Sequence, residues 1–69
     1  MSETKVLQPH QQRVVAEARE LETRLTALGV FLTGEKARDI DSQERARLSI
    51  QYSIMNAYLQ ILQLRIAQF

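Results

Sequence analysis

Val14, Ala18, Leu21, Leu25, Leu28 and Leu32 recur at alternating intervals of four and three residues. On a helix that spacing aligns them in one nearly straight stripe, the seam of a rod packed lengthwise against another rod. Glu17, Arg19, Glu20, Glu22, Arg24 and Thr26 fall on the other faces, and Glu20 precedes Arg24 in the favourable i,i+4 order, which marks those faces as solvated. Pro9 suits a first helical turn, where its missing N–H is not needed, so the helix is expected over about residues 9–32.

The pattern breaks over Thr33-Gly34-Glu35-Lys36-Ala37-Arg38-Asp39-Ile40-Asp41. Gly34 is the residue expected to take the left-handed conformation that ends many helices. Asp41 or Ser42 then caps a second helix, with Asp41 and Glu44 spaced as a capping box. No Gly or Pro occurs from Ser42 to Phe69, so this helix is expected to run over about 42–69 and to be roughly 40 Å long. The domain reading is a flexible segment over residues 1–8 followed by a two-helix hairpin over 9–69, with the turn at about 33–41. The fold class is all-α, an antiparallel helical hairpin.

The second helix carries more apolar surface than one neighbour covers. Its expected seam is Leu48, Gln51, Met55, Tyr58, Leu62, Arg65 and Phe69, and a further stripe of Ile50, Ile54, Ile61 and Leu64, with Ala57, lies to one side. Burying a large aliphatic side chain contributes about 1.5–3 kcal/mol, so leaving this stripe in water is both wasteful and sticky. A chain of 69 residues is also short for a self-sufficient core, and with no cysteine it has neither disulfides nor thiolate metal sites to help. Self-association is therefore expected, a dimeric four-helix bundle being the simplest closed form of a homo-oligomeric helical bundle.

Nine Lys and Arg against eight Asp and Glu give a net charge of +1, too little for the basic field of a DNA or RNA binder. The segment Met1 to Leu7 lacks the apolar run of a signal peptide, and no stretch has the roughly 18 apolar residues of a membrane span, so a cytoplasmic location with no membrane partner is expected. Phosphate loop, nucleophile elbow, His-Glu-x-x-His helix and zinc spacing are all missing, so neither an enzyme nor a cofactor or metal is expected.

Among polar residues, Gln51 and Arg65 interrupt the expected seam, and buried polar groups need partners. Arg65 either pairs with a carboxylate of helix one, Glu17 being well placed, or reaches out to solvent, or faces a polar ligand. Phe31 and Tyr58 read as core or interface residues, whereas Tyr52 flanks the seam and is expected to expose its hydroxyl. His10 at the first helix start and the Lys36, Arg38, Arg45 and Arg47 cluster at the turn are further anion candidates, although charged loops are ordinarily just solvated.

The run Gln12-Arg13-Val14-Val15 with Glu17, then Glu20-Leu21, Leu25, Leu28, Phe31-Leu32, Leu48, Gln51, Met55, Tyr58, Leu62 and Arg65-Ile66, resembles the crAss-phage-related small proteins of phages and prophages. The resemblance covers about residues 9–69; the turn, with Gly34 and Asp39-Ile40-Asp41, departs from it. It implies a small phage accessory protein. Such proteins include counter-defence sponges that hold cyclic-nucleotide immune signals between protomers. On that expectation the ligand-binding candidates are Arg13 and Arg65 for phosphate, Gln51 for a base edge and Tyr58 for stacking or a hydroxyl contact. The alternative expectation is a protein-protein interaction module whose isoleucine stripe docks on a host or phage protein, or a coiled-coil assembly factor.

Overall fold

A computed structural model describes residues 6–69, and the expected flexible segment at 1–8 lies outside it for residues 1–5. Two long helices, α1 (Pro9–Thr33) and α2 (Ser42–Ala67), pack against each other and are joined through a short 3-10 turn, Glu35–Asp39. The hairpin measures 56 × 17 × 16 Å. Its radius of gyration is 16.2 Å, where a compact domain of this length has about 11 Å. It is a two-rod structure with one contact line between the rods.

The helix ends have local causes. At the start of α1 the Gln11 Oε1 accepts from the Gln8 backbone N–H at 2.9 Å, satisfying one donor that the helix leaves free. Pro9 sits in the first turn as expected. At the other end the Thr33 hydroxyl donates to the carbonyls of Gly29 and Val30, and the Gly34 N–H donates to the Phe31 carbonyl at 3.1 Å. Gly34 leaves the helix in an extended conformation, φ −91°, ψ 173°, and no described glycine has positive φ. The expected left-handed termination is therefore corrected: the chain exits straight into the 3-10 turn. The Asp41 carboxylate accepts from the Gln43 and Glu44 N–H groups at 3.1 and 3.4 Å and caps α2. The Glu44 side chain turns to Arg47 instead, at 2.8 Å, so the expected reciprocal half of the capping box is replaced by an ion pair one turn on.

Val14, Ala18, Leu21 and Leu25 of α1 are buried, as their spacing required, against Leu59 and the fully enclosed Leu62 of α2. Tyr52, Met55, Ile66 and Phe69 pack at the margin of this core. The inward line of α2 is thus Leu48, Tyr52, Met55, Leu59, Leu62, Ile66 and Phe69, and the expected line is wrong at three of its seven positions. Gln51, Tyr58 and Arg65 are exposed, each displaced by its C-terminal neighbour Tyr52, Leu59 or Ile66. The cause is desolvation: burying a guanidinium and an amide costs several kcal/mol that burying an aliphatic side chain does not. Tyr52 is half-buried rather than flanking, and Gly29 is what admits it, since a Cβ there would lie 3.0 Å from the Tyr52 ring.

Candidate functional site

The rotation of α2 gathers the polar candidates on one open side of the hairpin. Gln51, Tyr58 and Arg65 are spaced seven residues apart, two turns each, so they form a row along one flank of α2. The row borders α1 at its middle, where the Tyr58 hydroxyl donates to the Glu17 carboxylate across the hairpin. Glu17 is therefore engaged by a tyrosine and not by Arg65. That hydrogen bond is the main reason the Tyr58 phenol is held above its ordinary pKa; partial desolvation and the Glu17 charge add to it, and the nearby Arg65 charge opposes it. Tyr58 retains 43% of its surface in solvent, with its ring available to a second contact.

Among the described residues the ion pairs are Glu20 with Arg24, 3.9 Å apart on the exposed face of α1, and Glu44 with Arg47. Neither Arg13 nor Arg65 takes part in one, and both are exposed. Two guanidinium groups thus remain available for a carboxylate or phosphate from outside the hairpin. Gln51 directs its amide toward the Met55 sulfur at 3.7 Å, a weak contact that a better acceptor displaces readily. Arg13 stands on α1, four residues before Glu17, and makes no described hydrogen bond with the α2 row. The structure thus joins Tyr58 to Glu17 with Arg65 nearby, sets Gln51 two turns up the same flank, and leaves Arg13 apart.

The other anion candidates are scattered. His10 is exposed at the first turn of α1, Arg47 is held by Glu44, Arg45 is half-buried, and Lys36 and Arg38 are exposed on the 3-10 turn. No group of three His, Cys, Asp or Glu side chains that could hold a metal occurs among the described residues, and no helix there is long and apolar enough to cross a membrane.

Shallow depressions mark the surface of the described residues, three of them as follows. One of about 520 Å³ is lined by Ala27, Val30, Phe31, Gly34, Glu35 and Lys36, one of about 400 Å³ by Arg19, Glu22, Thr23 and Thr26, and one of about 340 Å³ by Gly29, Leu32, Thr33 and Tyr52. None of the three is lined by Arg13, Gln51, Tyr58 or Arg65. The polar row lies on a convex helix flank, and a second surface must close over it before it encloses a small molecule. Glu17 as the anchor of Tyr58 was missed from the sequence; the signal was the antiparallel register, which sets residues near 17 beside residues near 58.

The Sequestin family model matches residues 8–68, which spans both helices and the turn. No curated protein and no solved structure matches the chain. The match does not link the chain to the crAss-phage-related small proteins.

Proposed function

We propose, on the premise that this chain belongs to the Sequestin family, that it is a counter-defence sponge: a homo-oligomer that holds a small nucleotide-type immune signal and does not turn it over. The observation that carries this reading is the family match across both helices, whose name is that of a sequestering protein. The side chains are consistent with it. Arg65 and Arg13 are guanidinium groups outside any described ion pair, suited to phosphate. Tyr58 offers a half-open ring for stacking, and Gln51 offers both a donor and an acceptor to a base edge. The ligand class we favour is a cyclic nucleotide, the phage-infected cell its setting, and the crAss-phage-related proteins its relatives.

A panel of cyclic dinucleotides, cyclic trinucleotides and cyclic ADP-ribose isomers, titrated by calorimetry, tests the reading. Micromolar or tighter binding of one of them is expected, with the molecule recovered unchanged after the protein is denatured. Absence of binding across the panel, or recovery of a converted product, contradicts it. Arg65→Ala and Arg13→Ala should weaken binding while leaving the melting temperature nearly unchanged, because exposed side chains outside any ion pair contribute within about 0.5 kcal/mol to stability.

A second reading is favoured by one observation, the outward exposure of Ile50, Ile54, Ile61 and Leu64. Such a stripe also suits a protein-interaction module docked on a host or phage protein. A stoichiometric protein partner recovered from infected cells, with no retained small molecule, would support that module over the sponge.

A further inference from the structure

The outward face of α2 is symmetric about its middle to within one residue. Ile50, Ile54, Ala57, Ile61 and Leu64 are separated by four, three, four and three residues. Counted from Ala57, Ile50 and Leu64 each stand seven residues away, and Ile54 and Ile61 stand three and four residues away. A face with that symmetry matches itself when a second helix is laid on it antiparallel, the condition for an isologous contact about a two-fold axis. Its smallest side chain, Ala57, stands at the centre, where the two helices come closest.

Two observations make the occupant a second copy and not a foreign surface. First, this face lies opposite the one that α1 already covers, and its four large side chains remain 54–65% exposed. Second, Arg65 is the sole charged residue from Leu48 to Phe69, whereas α1 carries Arg13, Glu17, Arg19, Glu20, Glu22 and Arg24. A helix facing water on its far side keeps charge there, as α1 does. The near-absence of charge from Leu48 on, beyond the first turns of α2 with Glu44, Arg45 and Arg47, fits a segment flanked by its own kind, with no charge pattern by which to select a different partner.

We infer that two copies pair antiparallel through this face, with the two-fold axis at Ala57, and that the ligand site is completed by the partner. The ligand part of the inference rests on the sequestering role proposed above; the pairing does not. With Ile54 against the partner's Ile61 and Ile50 against the partner's Leu64, the four helices form a layer, α1 outermost on each side. Gln51, Tyr58 and Arg65 each follow Ile50, Ala57 or Leu64 by one residue, so they line one flank of the contact. An axis normal to the layer leaves equivalent flanks on the same side. Arg65 therefore comes opposite the partner's Gln51, and Tyr58 comes beside the partner's Tyr58.

The two Arg65 side chains are then sixteen residue steps apart along the layer, about 24 Å, too far to hold the phosphates of one small nucleotide together. Each dimer accordingly carries two equivalent sites, one at either side of the tyrosine pair. In each, Arg65 of one chain takes the phosphate and the partner's Gln51 takes the base edge, with a Tyr58 ring to stack on.

The chain has no cysteine, so single-cysteine variants report on this geometry without background. Treated with a short bis-maleimide, Ala57→Cys should give a covalent dimer. Gln51→Cys and Arg65→Cys should give little alone and a covalent dimer when mixed. Dimers from Gln51→Cys alone and from Arg65→Cys alone indicate parallel pairing and overturn the inference, as does failure of Ala57→Cys to cross-link while circular dichroism shows the helices formed. A second measurement addresses the shared site. For whichever nucleotide of the panel the wild type binds, Gln51→Ala and Arg65→Ala should each bind weakly alone, while their equimolar mixture, after exchange of chains, recovers about a quarter of the sites. No recovery places the site within one chain and overturns its shared construction. If the wild type binds no nucleotide, the sequestering role fails and the shared ligand site with it, and the cross-links alone decide the pairing.

Discussion

Tyr58 and Glu17 are the one side-chain pair among the described hydrogen bonds that ties the two helices together through polar atoms. The carboxylate raises the phenol's pKa above its ordinary 10.0 by accepting its proton in a hydrogen bond and by repelling the phenolate. The group's folded value is the higher one, so the contact's contribution to stability is intact below pH 10 and is lost as the pH rises through the raised value. Glu17→Gln should move the Tyr58 transition back down toward the ordinary value, because the Glu17 charge is removed and only partial desolvation then opposes the Arg65 charge. Ultraviolet titration of phenolate formation in a Tyr52→Phe background checks this, and an unchanged midpoint would remove Glu17 as the cause. Gly29 makes a second residue-scale case. Alanine favours a helix interior over glycine by about 1 kcal/mol, yet its Cβ would press on the Tyr52 ring. Gly29→Ala should be destabilising by about 1 kcal/mol in the wild type and stabilising by a similar amount in a Tyr52→Leu background. Additivity of the two substitutions in denaturant melts would refute the contact.

At the scale of the element, α1 was legible because its apolar spacing admits one reading: of the residues at four-three intervals, Val14, Ala18, Leu21 and Leu25 are buried and Leu28 and Leu32 half-buried. In α2 two lines share Leu48, Met55, Leu62 and Phe69, and they differ at one residue in each heptad. The expected line took Gln51, Tyr58 and Arg65; the helix buries Leu59 and packs Tyr52 and Ile66 beside it. Hydrophobicity at those three positions already distinguished the two lines, because a seam with Arg65 in it leaves Leu59 and Ile66 in water. The same rotation is why the candidate site was only partly readable. Gln51, Tyr58 and Arg65 were expected in the seam and instead share a flank of α2, with Arg13 apart on α1; they stand outside the core, where a ligand is free to reach them and none is enclosed. Gly34 was misread because helix termination through an extended residue and a 3-10 turn leaves no distinct composition. Two substitutions test the element-scale account by chemical denaturation. Leu62→Ala should cost about 2–5 kcal/mol, as the fully enclosed side chain. Asp41→Ala should cost about 1 kcal/mol through loss of the α2 cap. A cost for Leu62→Ala no larger than for an exposed leucine would mean that the two rods do not meet along this line.

For the whole molecule, the governing fact is that α2 has two apolar faces and one of them is unoccupied by α1. Ile50, Ile54, Ile61 and Leu64 together represent several kcal/mol of burial that a single hairpin forgoes. The rod shape adds to this, since a pair of helices encloses little volume for its surface. Folding and assembly are therefore coupled in this account, and the melting temperature should climb with protein concentration. A nucleotide held between chains would raise it further, by mass action on the assembled state. Self-association is expected from the sequence for the same reason it is expected from the structure: the apolar residues of α2 exceed what α1 covers under either choice of line.

The most direct test is the mass of the protein in solution across a dilution series, by sedimentation equilibrium, together with that of an Ile54→Asp, Ile61→Asp double variant. The wild type should sediment at an even multiple of 8.0 kDa, and the variant should dissociate and lose helix content as it is diluted. A wild type that is a fully helical species of 8.0 kDa at every concentration would contradict the account, because the outward face of α2 would then need no partner.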